Sequence, residues 1–181
     1  PVPRGDKLPD TFKGKVCLKV GDNISTYHIV PSDSKLLPYR SNVPHLAKFS
    51  FCKVDDQFYN RCIENGGGFI VGGDNYGQGS SREHAALVPN YLKIKAIFAI
   101  SFARIHLSNL INNGILTLVI NQKDYDFFNY QDEYELINLL AGYRAFLINT
   151  LKHSEDEHFV RRTKGIIKRI EKQIDNIEQL K

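Results

Sequence analysis

The chain has 181 residues, 42% of them hydrophobic, and 24 basic against 20 acidic side chains give a formal charge of +4. That length suits one well-buried domain with an appendage, and the mild basic excess favours small anionic ligands while falling short of a nucleic-acid signature. No apolar run approaches the roughly 20 residues that a bilayer span needs, and Cys17, Cys52 and Cys62 are spaced for neither a disulfide framework nor a thiolate metal site.

Residues 1 to 14 are rich in proline, glycine and charge and read as an arm without a signal-peptide core. The chain starts at Pro1 and contains no methionine, which fits initiator removal, trimming or excision from a longer polypeptide alike. KVCLKV at 15 to 20 alternates like a strand, and GDN turns it. From Ile24 to Pro44 prolines and small polar residues break any periodicity, predicting a long loop with Arg40 near its tip. Phe49, Phe51, Val54 and Phe58 suit short helical turns. GGG at 66 to 68 opens a short buried strand, FIV. A helix is expected from Ser80 to about Leu87, stopped by Pro89, and then a strand, KAIFAI. SFARIHLSNLINNG reads as a helix punctuated by Gly114, and ILTLVI as the last buried strand. Alternating strands and helices predict an α/β layer fold. Ile166, Ile170, Ile174, Ile177 and Leu180 stripe one face of a charged C-terminal helix.

Between FIV and the Ser80 helix lies GGDNYGQGSSRE, residues 72 to 83. Its glycines free the backbone for positive φ and for close approach of a bound group. Neither the phosphate-loop pattern nor the dinucleotide fingerprint fits its spacing. Ser80-Ser81-Arg82-Glu83 matches a capping box, Ser80 bonding the N–H of Glu83 and the Glu83 carboxylate returning to Ser80. The same geometry would set two hydroxyls, a guanidinium and unpaired N–H groups at a helix terminus, a receptor for carboxylate or phosphate. Donors around Ser80 would favour its alkoxide, making it a candidate base toward a carbon acid. Arg40, on a proline-constrained loop, could clamp a carboxylate at two points.

GDNISTYHIVPSDSKLLPYRSNVP, GGGFIVGGDNYGQGSSREHAAL and SFARIHLSNLINNGIL together resemble the C-terminal swivelling domain of the aconitase family, and more distantly the small subunit of isopropylmalate isomerases, over about Lys15 to Ile120. Gln78 and the SFARIH string resemble the single-chain aconitases. The resemblance implies a swivelling β/β/α domain over residues 1 to 130, with 131 to 181 as a helical extension. It also implies citrate and isocitrate as substrates, and a [4Fe-4S] cluster held by partner domains or a large subunit, with none bound by this chain. Carried over by position, Ser80 is the catalytic base, Ser81 and Arg82 hold substrate carboxylates, and Arg40 recognises the terminal carboxylate of a tricarboxylate. The sequence departs from the family pattern at Tyr27, where an acid is usual, at Ser32-Asp33, at Ile100 and at Thr117.

Two functional classes follow. One is a swivelling domain or small subunit of a hydro-lyase, inert alone, in a reducing interior such as a mitochondrial matrix or a bacterial cytoplasm. The other is a catalytically retired domain that joins a larger assembly through its C-terminal helix. The basic start of that helix, FVRRTKGIIKRIEK, is interspersed with acids and reads as a solvated face instead of a nucleic-acid contact.

Overall fold

The computed structural model describes residues 12–136. Gly14–Tyr134 forms one compact unit; Pro1–Lys13 and Glu135–Lys181 make up a second, described only at its strand residues 12–13 and 135–136. The boundary expected after residue 130 falls just before a strand, and the isoleucine-striped helix lies outside the described residues.

β1 (Phe12–Lys19), β2 (Gly68–Gly72), β3 (Ile94–Ala99) and β4 (Leu116–Val119) run parallel, and with β5 (Glu133–Leu136) they form a sheet of order β4-β3-β2-β1-β5. β2 is buried along its whole length, which is why it reads as a continuous apolar run with no alternation. Between β1 and β2 the chain forms α1 (Thr26–Ile29), a 3-10 turn (Leu37–Tyr39), α2 (Val43–Ala47) and α3 (Phe58–Asn65). α4 (His84–Tyr91) links β2 to β3, α5 (Arg104–Asn112) links β3 to β4, and α6 (Gln122–Phe127) follows β4. Parallel neighbours need such crossovers, and α4 packs against α1, α2 and α5.

The main core combines Ile70 and Ile97 of the sheet with Ile29, Leu46, Phe51, Phe58, Ala85, Val88 and Leu110 of the helices. Phe69 and Phe98 alternate to the other face, edge to face at 5.7 Å, and Phe98 meets Phe128 at 4.7 Å. α3 is anchored by Arg61, whose Nε donates to the Cys17 carbonyl at 3.0 Å and whose guanidinium pairs with Asp55.

Three sequence expectations change. The loop expected over 24 to 44 carries α1 and a 3-10 turn, and α2 begins at Val43. These short elements are held by tertiary bonds such as Phe51 N–H to the Ile29 carbonyl (3.1 Å), so no local periodicity announces them. The helix expected from Ser80 begins four residues later, at His84. Thr26 explains the delay: its N–H donates to the Gln78 carbonyl (2.9 Å) and its hydroxyl to the Ser80 carbonyl (3.1 Å), while Gly79 has φ +100. Pro89 lies inside the last turn of α4 and does not end it, since a missing N–H there removes a single bond.

Candidate active site

The loops after β2 and β3 meet outside the carboxyl ends of those strands, the place where parallel α/β sheets put their ligand crevices. A cleft of about 230 Å³ opens there. One wall is Gly77, Gly79, Ser80, Ser81 and Arg82, with Thr26 beside it, and the other is Ala103 to His106 with Asn109. Among the described residues no acidic side chain lines it, and Arg82 and Arg104 give it two positive charges.

The wall after β2 is stitched into place. Tyr76 N–H donates to the Ser101 carbonyl and Ala103 N–H to the Tyr76 carbonyl, both at 2.9 Å. The N–H groups of Gly77 (2.6 Å) and Gln78 (3.0 Å) converge on the Ile24 carbonyl. Asp74 N–H is held by Asp22 Oδ1 at 2.7 Å, and Ser101 Oγ bonds Asp74. The glycines were expected to admit a ligand, but most admit the protein itself. A Cβ at Gly72 would stand 2.6 Å from the Tyr76 ring, and one at Gly77 would overlap the His106 imidazole. Gly79 alone of these leaves room for a Cβ, which would make ordinary contact with Thr26 Oγ1 at 3.6 Å.

The expected capping box at Ser80 to Glu83 is absent: Glu83 caps α4 without a side-chain bond. A reciprocal box occurs instead at Ser25, whose Oγ accepts from His28 N–H while His28 Nδ1 accepts from Ser25 N–H. The helix terminus that reaches the cleft is that of α5, because Ala103 to His106 line it and no α4 residue does. Ala103 provides no side-chain cap there, so the first-turn N–H groups of α5 are free to meet an anion.

Ser80, Ser81 and Arg82 are brought together along the cleft. Both serines are exposed, and neither hydroxyl has a hydrogen-bond partner among the described residues. Arg82 is half-buried, and its Nη1 is buried without a partner. Arg40 is exposed and outside the cleft lining; its carbonyl accepts from His84 Nε2 at 2.9 Å, which ties it to the first residue of α4. The departure at Tyr27 has a partner in the departure at Asp33: the Tyr27 hydroxyl donates to Asp33 Oδ1 at 2.6 Å. That bond raises the Tyr27 pKa, which the nearby Arg82 charge opposes.

Sequence reasoning missed the second wall. Arg104, His106 and Asn109 sit at the start of the SFARIHLSNLINNG helix, and their signal was the cluster of polar side chains in its first turns. Ile105, an apolar residue of the same helix, is half exposed at the cleft. Among the described residues no group of three His, Cys, Asp or Glu could hold a metal ion. Cys17 and Cys62 are buried in β1 and α3, and none of the three cysteines lines the cleft. No described helix is long and apolar enough to cross a membrane.

Residues 57–123 match the family model of the aconitase C-terminal domain. A 3-isopropylmalate dehydratase small subunit of Archaeoglobus fulgidus is 42% identical over 118 residues, covering 65% of this chain and 67% of that one. A methanogen homoaconitase small subunit from Methanocaldococcus jannaschii is 35% identical over 144 residues, 77% of this chain and 81% of that one. A mitochondrial aconitate hydratase of Candida albicans is 52% identical over 71 residues, 39% of this chain and 9% of that one. The crystal structure of the 3-isopropylmalate dehydratase leuD of M. jannaschii superposes with a TM-score of 0.59 at 35% identity, covering 69% of this chain and 70% of the other. With the parallel sheet and the cleft at its carboxyl edge, these likenesses show that the chain belongs to the aconitase C-terminal-domain family, in its small-subunit form.

Proposed function

We propose that this chain is the small subunit of an aconitase-type hydro-lyase, closing over substrate held by a cluster-bearing partner and isomerising citrate and isocitrate through cis-aconitate. The observation that carries this reading is the free hydroxyl of Ser80 beside the unpartnered, buried Nη1 of Arg82 in a cleft without acids. Such surroundings stabilise an anion: the substrate carboxylate on Arg82, and the Ser80 alkoxide when it takes the proton next to that carboxylate. Ser81 adds a hydroxyl donor, and Arg40, positioned through His84, reaches for the carboxylate farthest from the reacting carbon.

A [4Fe-4S] cluster on the partner would supply Lewis-acid chemistry at the substrate hydroxyl. The residues of this chain bind, orient and deprotonate. A tricarboxylate suits the cleft because Arg82, Arg104 and the uncapped start of α5 can each take an anionic group.

The test is to purify the chain with its native partner and assay citrate, homocitrate and 2-isopropylmalate turnover with wild-type and Ser80→Ala protein. Turnover of citrate that falls by about 10²- to 10⁴-fold in the variant supports the reading. A stable complex that turns over none of the three acids refutes it and leaves an architectural subunit. Preference for 2-isopropylmalate refutes the tricarboxylate assignment alone.

A further inference from the structure

α5 carries into the cleft a side chain to which the family resemblance gives no role. His106 is 2% exposed, and neither of its ring nitrogens has a hydrogen-bond partner. The ring is wedged between Gly77, where a Cβ would come within 2.6 Å of the His106 Cβ, and the Tyr76 ring, centroid to centroid 5.7 Å. Only a glycine at 77 lets the loop close on it. Burial pushes its pKa down to about 4, so the imidazole is neutral at pH 7.

The large majority of buried polar groups find a hydrogen-bond partner, in the protein or in an ordered water. Of the residues lining this cleft two do not: the His106 imidazole and Arg82 Nη1. Orphaned nitrogens on both walls of one acid-free crevice indicate a partner that is not part of the chain. A neutral imidazole offers one N–H and adds no charge beside two guanidinium groups, so its contribution is directional.

We propose that His106 is a specificity-determining residue of the cleft, donating its ring N–H to a carboxylate oxygen of the bound acid opposite Arg82 Nη1 and so fixing which carboxylate lies on the floor. The proposal rests on the hydro-lyase reading for the identity of the acid, but the binding it describes does not require turnover. Arg104 and the first-turn N–H groups of α5 attract the anion, and His106 orients it.

The experiment uses the full chain, labelled with ¹⁵N at histidine and arginine and assembled with its native partner, with citrate as the probe. His106 signals are assigned by their loss in His106→Gln. At saturating citrate the protonated ring nitrogen is expected to shift. In steady state, His106→Phe should raise KM for citrate by about 10- to 100-fold with kcat changed less than about threefold, and His106→Gln, which keeps an N–H donor, should recover most of the loss. Ring signals that stay put while the Arg82 guanidinium signals move would mean a buried water fills the floor, and would overturn the proposal. An unchanged KM in His106→Phe would overturn it equally. A complex that turns over none of the three acids, yet shows the His106 shift with citrate, discards the hydro-lyase reading and retains this site; no turnover and no shift at either residue discards both. Should His106→Phe fail to fold, the wild-type titration decides.

Discussion

Acid should destabilise this protein through one buried side chain. Burial lowers the His106 pKa from 6.5 to about 4, so on acidification the unfolded chain takes up a proton near pH 6.5 that the folded chain refuses until near pH 4. The stability that comes from keeping the ring neutral is intact above about pH 7 and is lost as pH falls through that window. With about 1.36 kcal/mol per pKa unit, the loss reaches about 2 kcal/mol at about pH 5 and about 3 kcal/mol at about pH 4, a large fraction of the about 5–15 kcal/mol that holds a typical domain together. The assay is urea unfolding of wild type and His106→Phe, without ligand, at a series of pH values from about 7.5 to about 5. Every other titrating group contributes to both proteins, so the difference between the two curves isolates the imidazole. The gap between variant and wild type should move by about 2 kcal/mol in favour of the variant over that range. Parallel curves would refute the reasoning, because they would show an imidazole that already has a proton acceptor or water in the native state.

Three further outcomes are expected. Arg82→Gln should raise KM for citrate by about 10- to 100-fold, the worth of a hydrogen bond to a charged group, without lowering the melting temperature, since Nη1 has no internal partner to lose; a KM within twofold of wild type would remove Arg82 from the carboxylate site. Gly77→Ala should cost about 2–5 kcal/mol in urea unfolding, combining a positive-φ penalty at φ +86 with overpacking against the His106 ring, and a loss below about 1 kcal/mol would show that the loop is not pinned. Asp55→Ala should cost about 3–5 kcal/mol by leaving the buried Arg61 guanidinium without its counter-charge; near-wild-type stability would show that water replaces the carboxylate.

Strands β2, β3 and β4 were legible because each is a short apolar run that a parallel, two-sided sheet buries completely, and α5 because Gly114 and its helical spacing mark its end. α1 and α2 were not, since four- and five-residue helices carry no period and depend on bonds to distant residues such as Gln78 and Phe51. Ser80 to Glu83 has the pattern of a capping box, but long-range bonds from Thr26 take the Gln78 and Ser80 carbonyls, and no local pattern can report a competitor 54 positions away. The true box at Ser25 uses a histidine where the pattern calls for glutamate or glutamine, so it escapes the same search. For the site, the residue types on the glycine-loop wall pointed to anion chemistry. The opposite wall stayed hidden because nothing in SFARIH shows that its histidine would end beneath a glycine from another loop.

The hydrogen bonds that pin residues 74 to 78 change what the glycines mean. Glycine-rich stretches are commonly taken for hinges, yet here the entropy of ordering the loop is lost when the chain folds, long before any ligand arrives. An acid reaching Ser80 therefore meets a mould already set. Whatever motion admits it has to carry this wall as one piece, and a substitution that loosened the loop would weaken affinity first and leave the chemical step nearly untouched.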